Sequence, residues 1–156
     1  MTTIADYAGR DVDLAAYQGM LAGGERLLRM ELVGPDHGGR IVAGIQKLAQ
    51  RFLVLLLTEQ GSVPHFPDQG CEFLTDARTG IFQAPLDVFT SFSSALVDIE
   101  LQLLAAEAPE DPDDERFDSA EVLSVSLNAG NASVRVQVNS RAGTTFDFLA
   151  PIPVGV

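Results

Sequence analysis

The chain has 156 residues, of which 46% are hydrophobic, with 22 acids against 10 lysines and arginines and a formal net charge of −12. That length and apolar content suit one globular domain able to bury its own core, and exclude a disordered chain. The charge excludes a phosphate-binding surface, so neither nucleic acid nor an anionic membrane is expected as a partner.

Residues 1–25 show weak periodicity and read as an irregular arm with a short helix near 14–21. Residues 26–33 (RLLRMELV) alternate, with Leu28, Met30 and Leu32 on one face, which predicts a strand. A turn follows at 34–39 (GPDHGG). From 40 to 59 the period is helical: Ile41, Ile45, Leu48, Phe52 and Leu55 share a face, with Asp36 as the cap and Gly61 as the stop. The last turns (FLVLLL) are apolar all round and predict burial on several sides. Residues 61–71 contain Gly61, Pro64, Pro67 and Gly70, so they predict a structured loop. A short helix starts at Glu72 and ends by Gly80, and Pro85 opens a second long helix over 85–106. There Phe89, Phe92, Leu96, Ile99 and Leu103 repeat at three and four, a coiled-coil-like seam.

Residues 107–118 (EAPEDPDDERFD) hold seven acids and two prolines and predict an exposed connection. The period then becomes two. Leu123, Val125 and Leu127 alternate with polar residues, as do Val134, Val136 and Val138, which should share a buried face. Asn128-Ala129-Gly130-Asn131 makes the hairpin turn between them. Phe146 and Phe148 mark a third strand before Pro151. The pattern defines an α+β fold, two long packed helices with a small, mainly antiparallel C-terminal sheet. An arm and strand at 1–37 precede the domain at 38–156. Three strands leave two edges, and open edges pair readily with a neighbour's strand. The longest purely apolar run, residues 52–57, is far short of the roughly 20 that span a bilayer, so no membrane helix is expected. The first residues lack a signal peptide's basic start and apolar stretch.

Chemistry-bearing residues are sparse. Cys71 is the only cysteine, which excludes an internal disulfide. His37, His65, Asp68, Cys71 and Glu72 show no metal-ligand spacing, and the acidic run at Asp111, Asp113 and Glu115 lacks the glycine and terminal glutamate of a calcium loop. No metal or cofactor is expected. Ser62, His65 and Cys71 lie close together without a nucleophile elbow. Glu59 and Asp68 stand nine residues apart, the separation of the carboxylate pair in phage-type lysozymes. The threonine that should follow is one residue late, at Thr75. Such a pair could hydrolyse a glycoside if one carboxyl held its proton; the alternative is a helix-end Glu and a loop Asp that binds nearby backbone N–H groups. Arg40, Lys47 and Arg51 fall on one helix face. They are either a solvated or internally paired stripe, or a docking face for an acidic partner.

Thr58, Gly61, Pro64, Pro67, Gly70 and Leu74 lie between two helices, followed by an acidic connection and paired strands. This order resembles the wedge or sheath-initiator proteins of contractile phage tail baseplates, the family also called baseplate assembly protein W or lysozyme-like wedge protein. The likeness covers about residues 38–152. It implies a structural virion component with no enzymatic activity, assembled in the host cytoplasm into the tail baseplate. It further implies several copies around the tail axis, touching other baseplate wedge proteins and the tail sheath protein. Related proteins occur in type VI secretion baseplates and extracellular contractile injection machines. The family's Glu-Pro-Arg before the first strand is represented by Glu115-Arg116 without the proline, which implies that these two contact the wedge core bundle. The strands LSVSL, SVRVQV and FDFLAP look like the family's sheath-linking strands, which puts Val134, Val136 and Val138 in the sheath-binding region. The competing expectation is a peptidoglycan-cleaving muramidase that uses Glu59 and Asp68.

Overall fold

A computed structural model describes residues 13–14, 41–128 and 130–154. The elements in order are the short strands β1 (Asp13–Leu14) and β2 (Ile41–Val42), helices α1 (Ile45–Leu56), α2 (Phe73–Arg78) and α3 (Pro85–Ala106), and strands β3 (Phe117–Asn128), β4 (Asn131–Ser140) and β5 (Thr145–Pro153). The chain is α+β, with three helices among the described residues and a three-stranded antiparallel sheet in the order β3-β4-β5. Of the two long helices expected, α3 has 22 residues and α1 only 12.

The helix α1 starts at Ile45 rather than at Arg40. Ile41 and Val42 are extended, paired antiparallel with Leu14 and Asp13. Gly44 then takes φ 61° and ψ −142°, a conformation that a Cβ would oppose. Leu14, expected in a short helix, therefore lies in β1. The expected strand at 26–33, the turn at 34–39 and the Asp36 cap fall outside the described residues.

Pro85 is the first residue of α3, as expected, and Asp87 Oδ2 accepts the backbone N–H groups of Gln83 (3.0 Å) and Ala84 (2.7 Å). The acid closes the first turn, where orphan donors and the helix dipole favour it. The buried stripe of α3 is Val88, Phe92, Ala95, Ile99 and Leu103; Leu96 is half-buried and Phe89 lies outside it. Among the described residues α3 is long and apolar enough to cross a membrane by length and composition, with a mean hydropathy of 1.3. The longest-run reading misses this because polar residues interrupt every apolar run. In the fold its buried stripe packs into the protein core.

Phe52 of α1 is the hub of that core. Its ring centroid lies 6.2 Å from Phe92 of α3, 6.0 Å from Phe117 of β3 and 6.2 Å from Phe148 of β5. Such separations suit aromatic contacts worth about 0.5–1.5 kcal/mol beyond burial. The central strand β4 supplies Ala132, Val134, Val136 and Val138, all fully buried on one face as its alternation predicts. The opposite face is polar, with Arg135 Nη2 2.9 Å from Asp147 Oδ2 and Gln137 Nε2 donating to Asp147 Oδ1 at 2.8 Å.

The alternation read in β3 breaks. Val122 pairs with Val136 but Ser124 pairs with Arg135, so Leu123 is an extra residue in a bulge. The bulge resets the parity: Val122 and Val125 both lie opposite inward valines, while Leu123 is 42% exposed. Asp118 is the extra residue of a second irregularity, between Phe117 and Ser119. A two-residue loop joins Asn128 to Asn131, with Gly130 at φ 81°, consistent with the turn expected there.

Candidate functional site

The loop over residues 61–71 is held at both ends. Cys71 N–H donates to Thr58 O (3.0 Å), Gln60 N–H to Cys71 O (3.3 Å) and Gly61 N–H to Pro67 O (2.9 Å). Gly70 has φ 93°, and a Cβ there would sit 2.2 Å from Thr58 O. A glycine is required by the close approach as well as by φ. The Gln102 side chain of α3 grips the Gly70 peptide from both sides: Gly70 N–H donates to Oε1 and Nε2 donates to Gly70 O, each at 2.8 Å. Nothing in the sequence marks Gln102 for this role. A Gln102→Ala variant removes both bonds, at about 1 kcal/mol each. We expect faster amide hydrogen exchange across residues 61–71, with β4 protection unchanged. The Cys71 thiol is buried beneath the loop, and burial pushes it up to about 11. A thiol so placed is a small core side chain, not a nucleophile.

The acidic connection is not the exposed linker its composition predicts. Glu115 is 4% exposed; its Oε2 lies 2.8 Å from Lys47 Nζ, and its Oε1 accepts Gly44 N–H at 3.0 Å. Arg116 Nη2 donates to the carbonyls of Ala108 (3.0 Å) and Pro109 (2.7 Å). Glu107 binds Phe117 N–H through Oε1 (3.0 Å) and the Arg141 guanidinium through Oε2 (3.0 Å). Arg141 N–H and Ala142 N–H return to Arg116 O and Asp113 O. The segment is thus a knot joining the start of α1, the end of α3 and the β4–β5 turn. Charge composition cannot show this, because pairing depends on which residues the fold brings opposite the acids.

The residues expected to bind partners divide accordingly. Glu115 and Lys47 form one internal pair, the alternative weighed for the basic stripe. Arg51 is half-buried, with no ion pair among the described residues, and Arg40 lies outside them. The guanidinium of Arg116 is mostly engaged within the knot. Val134, Val136 and Val138 point into the core from β4, which is paired on both sides.

Among the described residues, the sheet edges without a strand partner are those of β3 and β5. In β5, Pro151 lies opposite Ser133 and Pro153 opposite Asn131. Proline has no N–H, so these are positions that do not bond to β4. Thr145, Asp147 and Leu149 share their parity, and their backbone N–H and C=O groups point away from β4. A run of outward backbone groups therefore extends from 145 to 149 and stops at the prolines. The outer edge of β3 is interrupted by its two irregularities.

Glu59 and Asp68 do not both line the cavity beside α1. Asp68 lines a cavity of about 730 Å³ between α1, the loop and the end of α3, with Arg51, His65, Phe66 and Gln102; Glu59 does not line it. Glu59 Oε1 instead lies 2.7 Å from Arg78 Nη1, a cation where a general acid would present its proton. No group of three or more potential metal ligands occurs among the described residues. No family model, curated protein or solved structure matches the chain.

Proposed function

We propose that this chain is a structural component of a contractile tail baseplate that joins the wedge to the first sheath ring and starts sheath assembly. The observation that carries the reading is the β5 edge, three outward-facing backbone positions on a well-packed sheet. Strand addition there supplies main-chain hydrogen bonds with little demand on the partner's sequence. The helices α1 and α2 pack against β5, and the acidic knot ties the turn before it to the end of α3, which supports the reading of a folded platform carrying that edge. The wedge proteins and the sheath protein are the partners this reading names, and the site of action is the virion baseplate.

The test uses Leu149→Pro, which removes an outward N–H without touching the β4 ladder. The variant should fold normally and fail to seed sheath. Contractile particles from the source, fractionated and read by mass spectrometry, should contain the wild-type chain at low copy with the baseplate only. Its absence from every particle, or a Leu149→Pro protein that seeds sheath normally, overturns the reading.

A further inference from the structure

The helix α3 has a second apolar stripe. Leu86, Phe89, Val97, Leu101 and Leu104 are all exposed, with Leu86 at 72%, Val97 at 58% and Leu101 at 63%. Their steps are three and four residues once Ser93 is counted between Phe89 and Val97. At 100° per residue they fall on the side opposite the buried stripe. Single exposed leucines are ordinary, but a stripe along a helix of about 33 Å is not.

The charges around it select an occupant. No lysine, arginine or histidine occurs anywhere in α3, while Glu100 and Asp98 flank the C-terminal half of the stripe, Val97, Leu101 and Leu104, on either side. A second copy of this chain would set acid against acid across the seam, in a protein already at −12. A helix with apolar residues at three-four spacing fills the stripe by ridge-into-groove packing. Basic flanking residues would then face Glu100 and Asp98.

We propose that the outer face of α3 seats an amphipathic helix of a different protein, apolar along its seam and basic along both flanks. This is argued from α3 alone and does not depend on the baseplate reading.

The full-length chain is titrated, by fluorescence anisotropy, with two synthetic helical peptides that share one leucine seam. One carries lysine flanks and the other glutamate flanks. The lysine peptide should bind roughly tenfold or more tightly, with an affinity that falls as salt rises. Leu101→Asp should weaken it by roughly tenfold or more at unchanged helical circular dichroism. Adding an acid strengthens a purely electrostatic contact, so this loss reports the apolar seam. If Leu101→Asp fails to fold, Val97→Gln supplies the same reading at an exposed position. Equal affinity for the two peptides, binding of neither, or full binding by the folded variants overturns the proposal. So does a dimer in sedimentation equilibrium that the same variants dissolve, which assigns the face to a second copy. Flotation with phosphatidylcholine vesicles in place of peptide binding assigns it to a membrane and overturns the proposal too.

Discussion

Val136→Asp should abolish the cooperative unfolding transition of this chain in urea at neutral pH. Val136 is fully buried at the middle of β4, opposite Val122 on one side and Phe148 on the other. A carboxylate there loses the packing of an isopropyl group and enters a surface whose inward neighbours on β4, Val134 and Val138, offer no side-chain donor. Burying a charge without a partner costs several kcal/mol even after relaxation. Together with the lost packing this exceeds about 4–5 kcal/mol, close to the whole stability of many domains. Far-ultraviolet circular dichroism against urea reads the result. Ser124→Asp is the control, since Ser124 is exposed on the neighbouring strand opposite Arg135, and it should change stability by about 1 kcal/mol or less. A Val136→Asp protein with a native urea midpoint would show that the inward face of β4 has been misassigned.

The second large effect is expected from Glu115→Ala, about 3 kcal/mol or more of lost stability. The substitution removes the acceptor for Gly44 N–H together with the anion facing Lys47. For a chain of this length that corresponds to a fall of roughly 6–12 °C in the unfolding midpoint. Glu115→Gln should fall between the two, because an amide oxygen still serves Gly44. Differential scanning calorimetry distinguishes this from a contact role: if Glu115 acted only on a partner, the midpoint would stay unchanged while assembly was lost. Moderate salt should change the midpoint little, since the pair is screened from solvent.

Much of the fold was legible because local chemistry and tertiary packing agree. Pro85 at the start of α3, the period of two in β4 and the turn at Gly130 are signals with a backbone cause, and the structure follows them. Disagreements arise where partners distant in sequence decide. Ile41 and Val42 fit a helical period equally well, and only their pairing with Asp13 and Leu14 draws them into a strand. Leu123 fits the alternation of β3, and only the register against β4 shows that it is the extra residue. The acidic connection departs from its composition for the same reason: seven acids in 107–118 describe a solvated surface until Lys47, Gly44 and Arg141 are brought opposite three of their oxygens. The clamp on Gly70 had its glycine in view, but a glutamine in an apolar helix gives no sign of gripping a peptide. Of the residues expected to face partners, the three valines were legible as a buried set, which is a statement about the core and not about an outside contact.

The prolines at 151 and 153 and the irregularities of β3 bear on stoichiometry. A sheet with two regular free edges is divalent, and divalent units add to one another without limit once concentration allows. Here one margin is cut short by the prolines and the other is kinked by extra residues. The sheet is close to monovalent. Such a molecule can accept one strand and then has little left to offer a copy of itself, so it should remain dispersed at concentrations where a flat, two-sided sheet would grow into fibres.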